Sequence, residues 1–156
     1  MTSMSSDGRT VGRTNIQTAA LAVGAVFLLV GVLGFIPGIT TNYETMGFAG
    51  HESQALLLGI FQVSVLHNIV HLLFGAAGVA MARGAAQSKN YLVIGGAIYL
   101  VLWIYGLLIG KDTAANFVPV NPADDWLHFV LGVAMLGLGF ALSRGTARAG
   151  RPTTAH

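Results

Sequence analysis

Long apolar stretches dominate the chain and are separated by short polar segments. Four of these stretches approach the roughly 20 residues that a helix needs to cross a hydrocarbon core of about 30 Å. They predict transmembrane helices at about 18–36, 65–82, 91–109 and 124–142. Helix is expected because backbone groups in hydrocarbon must hydrogen-bond within their own segment. The pattern therefore predicts an all-α transmembrane four-helix bundle over residues 15–143.

The start of the second helix is ambiguous, because the apolar run from Ala55 to Ala82 is longer than one span requires. We place the start at about Val65 and assign residues 55–64 to a segment at the membrane interface. An earlier start, near Gln54, would bring His67 close to the middle of the bilayer. An ionisable side chain is costly at that depth, so the later start is preferred.

The chain also contains an internal repeat. Residues 67–75 (HNIVHLLFG) align with residues 124–132 (DDWLHFVLG), since both read two polar residues, two apolar residues, a histidine and, four residues later, a glycine. The preceding residues 61–64 (FQVS) likewise resemble residues 118–121 (VPVN) in alternating apolar and small polar residues. A weaker likeness relates the first helix to the third: residues 24–28 (GAVFL) align with residues 96–100 (GAIYL), and Gly34 matches Gly106. The repeat predicts two helical hairpins with the same orientation in the membrane. It also supports the late start of the second helix, because the equivalent residues His71 and His128 then both lie about one turn below the outer surface.

Composition and charge placement sharpen this picture. The chain is 54% hydrophobic and only 9% charged, whereas soluble domains carry about 25% charged residues. Seven basic residues lie in the N-terminus, the middle loop and the C-terminus: Arg9, Arg13, Arg83, Lys89, Arg144, Arg148 and Arg151. The other two loops hold the acidic residues Glu44, Glu52, Asp112, Asp124 and Asp125, and among basic residues only Lys111. The positive-inside rule therefore predicts that both termini and the middle loop are cytoplasmic.

The two ends of the chain have a different composition. Residues 1–14 and the basic segment 144–156 are rich in Ser, Thr, Gly and Arg, and we expect both to be disordered cytoplasmic tails that can touch anionic lipid. Cysteine is absent, which excludes disulfides and thiolate metal sites. The sequence has no phosphate loop, dinucleotide fingerprint or aromatic-basic patch. Membrane lipids are thus expected partners, and nucleic acid is not.

Polar residues gather on one face of the second and fourth helices. Residues three and four apart share a helix face, which gives one stripe of Ser64, His67, Asn68, His71, Gly75 and Gly78 and another of Asp124, His128, Gly132 and Met135. We expect the stripes to face each other, because small residues allow membrane helices to approach closely. The predicted result is a polar cluster near the outer leaflet: His67, Asn68, His71, Asp124, Asp125 and His128.

Three interpretations of this cluster stay open. It can be structural, with carboxylates and amide groups bonding the imidazoles and fixing how the hairpins pack. It can be a metal site, since His67 and His71 are spaced to converge on one ion and His128 with Asp124 would complete a tetrahedral set for zinc or another divalent metal. It can also ligate haem or handle protons. A membrane enzyme would also need a general base, and none can be identified from the sequence.

The two histidine segments also carry a resemblance. At residues 67–75 and 121–128 the chain resembles a family of small actinobacterial four-helix integral membrane proteins classed as a domain of unknown function. The likeness extends from about Gln17 to Leu142. It implies the same four-helix topology and a multi-pass protein of the bacterial plasma membrane. It implies no activity.

The sequence therefore predicts a non-enzymatic membrane protein, either an accessory or structural subunit of a larger membrane complex or a homo-oligomer. Two glycine pairs offer further close-packing surfaces: Gly24 with Gly31, and Gly137 with Gly139. The alternative is a metal- or haem-binding membrane protein with a redox or sensing role. That alternative would use His67, His71, His128 and Asp124.

Overall fold

The computed structural model describes residues 12–149 and contains four α-helices in that range, with a short 3-10 helix (Tyr43–Thr45) between the first two. They are α1 (Asn15–Leu33), α2 (Val65–Met81), α3 (Ala85–Leu108) and α4 (Pro122–Ala149). Three of them are long and apolar enough to cross a membrane, α4 by its segment Pro122–Ser143, while α2 has 17 residues and is shorter. The predicted all-α architecture is confirmed.

Helix α2 begins at Val65, where Ser64 caps it, but other boundaries differ from the prediction. Helix α3 begins at Ala85, so Lys89 is helical and the middle loop contracts to residues 82–84. Helix α4 continues to Ala149, so residues 144–149 of the predicted disordered tail are helical. The predictions for residues 1–11 and 150–156 lie outside the described residues.

The segment assigned to the membrane interface forms two short strands. A small antiparallel sheet contains β1 (Thr40–Thr41), β2 (Leu56–Leu57) and β3 (Phe61–Gln62) in that order. The turn between β2 and β3 contains Leu58 (φ 54°) and Gly59 (φ 70°), and a helix cannot accommodate two consecutive left-handed residues. We call residues 34–64 and 109–121, which join the helices at one end of the bundle, the cap.

The helices pack as two hairpins, α1 against α2 and α3 against α4. A Cβ atom placed on Gly75 would lie 2.7 Å from the carbonyl oxygen of Gly24, and one placed on Gly132 would lie 3.0 Å from the carbonyl oxygen of Gly96. The backbones therefore touch at equivalent glycines in each hairpin. The prediction that Gly75 and Gly132 lie on facing stripes is wrong, because each packs against the other helix of its own hairpin.

Aligned residues also make equivalent contacts around the bundle centre. Phe27 lies against His71 with ring centroids 5.7 Å apart, and Tyr99 lies against His128 at 5.2 Å. Phe27 and Tyr99, which are aligned in the repeat, stack on each other at 5.4 Å. Equivalent residues meet in this way when an approximate two-fold axis relates two units. We infer that such an axis relates the two hairpins and passes between these rings.

The remaining predicted close-packing glycines behave differently from one another. Gly31 packs α1 against α2, where an added Cβ would lie 2.8 Å from the side chain of Leu72. Gly139 packs α4 against Val93 of α3 at 2.7 Å. A Cβ atom on Gly137, by contrast, would meet no described atom within 4 Å. Close packing therefore requires three of the four glycines, and Gly137 is open.

Candidate functional site

The starts of α2 and α4 are built in the same way. The Ser64 hydroxyl accepts the backbone N–H of His67 at 3.1 Å. The Asn121 side-chain oxygen accepts the N–H groups of Ala123 and Asp124 at 2.9 and 3.0 Å. Both side chains accept hydrogen bonds from backbone N–H groups that a helix N-terminus leaves free. They fix His67 and Asp124, aligned in the repeat, at the third position of their helices.

These two side chains link the hairpins crosswise. One oxygen of Asp124, Oδ2, accepts the N–H of Asn121 at 2.9 Å and, from the other hairpin, the N–H of Gln62 at 3.0 Å. The imidazole of His67 lies in hydrogen-bonding range of the backbone of Gln62, in its own hairpin, and of Pro119, which aligns with Gln62 in the repeat. Asp124 of α4 thus reaches the segment that precedes α2, and His67 of α2 reaches the segment that precedes α4. The start of each of these two helices therefore depends on contacts with the other hairpin.

The three histidines of the two motifs lie together inside the bundle. The rings of His67 and His71 have centroids 4.5 Å apart, and the imidazole of His128 lies close enough to both for their charges to interact. His67 and His128 are only 4% and 5% exposed. The Nδ1 atom of each of the three imidazoles is buried, and none has a hydrogen-bond partner among the described residues. Unsatisfied buried nitrogens are costly, so they require an explanation.

Two cavities flank these imidazoles. The first has a volume of about 130 Å³ and the second about 140 Å³, and all three histidines line both. Part of their other walls corresponds under the two-fold relation. Phe27, Val30, Phe61 and Val63 in the first cavity correspond to Tyr99, Leu102, Val118 and Val120 in the second. Asp124 lines only the first of the two cavities.

Asn68 and Asp125, predicted members of the same cluster, lie elsewhere. Each is buried and is in close contact with a glycine near the end of the neighbouring helix: Asn68 with Gly34, which follows α1, and Asp125 with Gly106 of α3. Neither lines the two cavities. The structure therefore separates the predicted cluster into a central group of three histidines with Asp124 and two flanking contacts at the helix ends.

Asp125 forms an ion pair with Lys111, whose Nζ lies 2.7 Å from Oδ2 and 2.9 Å from Oδ1. The same Nζ donates to the carbonyl oxygen of Gly106 at 2.8 Å. Asp112, the sequence neighbour of Lys111, is exposed. The charge of Lys111 thus stabilises the contact between the cap and α4. Its partner is Asp125 and not Asp112, its neighbour in sequence.

The four predicted metal ligands His67, His71, His128 and Asp124 line one cavity. Across residues 12–143, however, no group of three His, Asp or Glu side chains is arranged to hold a metal ion. Asp124 uses Oδ2 to receive two backbone N–H groups, which is a structural role. The metal and haem interpretations stay predictions.

Buried polar residues of the cap that the sequence did not indicate include Ser53 and Asn116. The hydroxyl of Ser53 donates to the carbonyl oxygen of Val63 at 2.6 Å. Asn116 bonds Val120 through both its amide nitrogen and its oxygen, at 3.1 and 2.9 Å, and also donates to Lys111. Both residues organise loops without periodic pattern, so a single sequence gives no signal that distinguishes them from solvated Ser and Asn.

Comparison with known protein families places these features in a group. The family described as "Domain of unknown function (DUF4383)" has a sequence model that matches residues 17–141. The chain belongs to this family. The matched region includes both histidine motifs and both glycine contacts, and the predicted resemblance to a family classed as a domain of unknown function is confirmed. No functionally curated protein and no solved structure matches the chain.

Proposed function

We propose that this protein is a non-enzymatic integral membrane protein that serves as an accessory or structural subunit of a larger membrane assembly. The observation that carries this proposal is a pair of exposed aromatic residues in the cap. Phe48 is 68% exposed and Phe117 is 59% exposed. Lipid accounts for exposed apolar side chains on the helices, but loop residues beyond the helix ends need another cover.

The two aromatic side chains are held on ordered backbone. The N–H of Gly50 donates to the carbonyl oxygen of Phe117 at 2.7 Å, which joins the two loops of the cap. The N–H of Leu66 donates to the carbonyl oxygen of Phe48 at 2.8 Å. Exposed aromatic residues on a preorganised surface match the anchors of protein interfaces. This supports a partner subunit that contacts the cap.

The internal polar groups also favour a structural role. The hydrogen bonds of Asp124 tie one hairpin to the other, and the ion pair of Asp125 ties the cap to α4. Buried carboxylates with such partners hold a fold in one arrangement. A protein of this construction presents a fixed surface to a neighbour.

Replacing both Phe48 and Phe117 by Ala tests this proposal. The wild-type protein, extracted from its native membrane in mild detergent, should run as a stoichiometric assembly larger than the monomer in native mass spectrometry. The double variant should run as a monomer, because the aromatic anchors are removed. Phe140→Ala is the matched control, because Phe140 is also an exposed phenylalanine but lies on α4 and not in the cap. A monomeric wild-type protein, or an assembly unaffected by the double variant, would contradict the proposal.

We further propose the bacterial plasma membrane as the location, with both termini cytoplasmic, on the basis of the charge distribution. The absence of cysteine allows single-cysteine reporters. In intact cells, a membrane-impermeant maleimide should label Glu52→Cys in the cap. It should label Gln87→Cys, which is exposed at the opposite end of the bundle, only after permeabilisation. The reverse labelling pattern would refute this orientation.

A further inference from the structure

The turn between β2 and β3 carries apolar side chains at its tip. Leu58 is 60% exposed and Ile60 is 54% exposed, and the segment 55–63 (ALLLGIFQV) contains no charged residue. Leu58 and Gly59, at the centre of the turn, both have a left-handed backbone. Turns in water favour Gly, Asn or Asp at such positions, because these residues tolerate that conformation. A leucine there indicates that the tip requires an apolar side chain.

The side chain of Leu58 reaches below the ends of the neighbouring helices, toward the middle of the bundle. It lines the first cavity together with Val26 of α1 and Leu127 of α4. At a rise of about 1.5 Å per residue, Val26 lies about 10 Å before the end of α1 and Leu127 about 8 Å after the start of α4. Both are exposed on the outside of the bundle. Leu58 therefore shares the surroundings of these lipid-facing helix surfaces.

The length of α2 supports the same placement. Its 17 residues extend about 26 Å, which is less than the hydrocarbon core of about 30 Å. The end of α2 is followed closely by Arg83, whose charge belongs in the polar boundary of the membrane. The missing length therefore falls before Val65, on the segment that contains β3 and the turn.

The backbone of the turn is suited to hydrocarbon, because its polar groups bond within the protein. The N–H of Leu58 donates to the carbonyl oxygen of Ile39 at 2.9 Å. The N–H groups of Gly59 and Ile60 donate to carbonyl oxygens of β2, each at 3.1 Å. The carbonyl oxygen of Ile60 accepts the side-chain amide of Asn121 at 2.7 Å. Non-helical backbone is tolerated at membrane depth only with such internal partners.

We propose that the β2–β3 turn inserts into the hydrocarbon of the membrane leaflet on the side of the cap, where lipid acyl chains cover Leu58 at the mouth of the first cavity. The apolar tip, its depth beside α1 and α4, the short α2 and the bonded backbone support this placement independently. The proposal does not rest on the partner subunit proposed for Phe48 and Phe117, which are different residues of the cap.

Site-specific fluorescence tests the depth of the turn. The chain has no cysteine, so Leu58→Cys and Glu52→Cys can each carry a bimane label in purified protein in lipid nanodiscs, where both membrane faces contact buffer. The label of Leu58→Cys should be quenched by lipids with a nitroxide on the acyl chain. Aqueous iodide should quench it at least about threefold less than the label of Glu52→Cys, because an anion is excluded from hydrocarbon.

Glu52 is the control because it is charged and exposed in the same cap. Iodide quenching of the Leu58→Cys label as strong as that of the Glu52→Cys label would place the turn in water and overturn the proposal. A Leu58→Cys label that neither quencher reaches would overturn it as well, because a part of the protein and not lipid would then cover the tip.

The order of stability of two variants at Leu58 gives a second test. Leu58→Ala and Leu58→Asn lose the same leucine contacts, but asparagine adds a polar amide. In water Asn should be the more stable, because it favours the left-handed conformation. In hydrocarbon the amide loses its hydration, so we expect Leu58→Asn to unfold about 2–4 °C below Leu58→Ala in nanodiscs. An unfolding temperature of Leu58→Asn equal to or above that of Leu58→Ala would refute insertion.

Discussion

Replacing Lys111 by Met is expected to lower the free energy of unfolding by about 3 kcal/mol, as for other buried ion pairs that lose one partner. Lys111 lies 2.7 Å from the buried carboxylate of Asp125, and its Nζ also bonds the carbonyl oxygen of Gly106. Without the ammonium group, Asp125 would be a buried charge without compensation. We place the loss at the lower end of the range because Lys111 is partly exposed. Reversible unfolding in detergent micelles, followed by circular dichroism, measures it.

Two further variants separate this ion pair from simple loss of charge in the cap. Asp112→Asn removes an exposed charge beside Lys111 and should change the free energy of unfolding by less than about 0.5 kcal/mol. The double variant Lys111→Met with Asp125→Asn should recover much of the lost stability, because no unpaired charge remains. A loss in Asp112→Asn as large as that in Lys111→Met would show that Asp125 is not the relevant partner.

A methyl group added at Gly75 is expected to cost about 1–3 kcal/mol of folding free energy through overpacking. The Cβ atom of Gly75→Ala would lie 2.6 Å from the backbone nitrogen of Leu28 and 2.7 Å from the carbonyl oxygen of Gly24. Both are backbone atoms, so α1 and α2 must move apart to admit it. The same unfolding measurement applies.

The chain provides controls for this substitution. Gly137→Ala meets no described atom within 4 Å and should stabilise α4 by up to about 1 kcal/mol, since alanine favours helix more than glycine. Gly132→Ala should cost less than Gly75→Ala, because its nearest atoms belong to the side chain of Leu100, which can move. If Gly75→Ala and Gly137→Ala change stability equally, the backbone contact does not matter.

The helices could be predicted from features of the sequence itself, namely the apolar runs and the internal repeat. The length of the apolar runs predicts the spans because a helix satisfies its backbone within one segment. The repeat led us to begin α2 near Val65, where the structure has it. The strands before it could not be foreseen, because the mostly apolar run from Ala55 to Val63 is compatible with either a helix or strands. The strand conformation depends on pairing with residues distant in sequence.

The candidate site was predictable only in part. The repeat indicated that His71 and His128 are equivalent, and the structure brings both to the same pair of cavities. It did not indicate that Asn68 and Asp125 contact helix-end glycines instead. Helical periodicity defines which residues share a face, but it does not define which neighbouring helix that face meets.

The sequence by itself determined the class of this protein, an all-α bundle with helices apolar enough to span a membrane, and its division into two similar hairpins. Tertiary structure decided that Lys111 pairs with Asp125, that Gly75 and Gly132 pack within their own hairpins, and that two cavities flank the imidazoles. The reason is physical. Hydropathy and periodicity act over a few residues, whereas ion pairs, backbone contacts and cavities arise between segments that only the folded chain brings together.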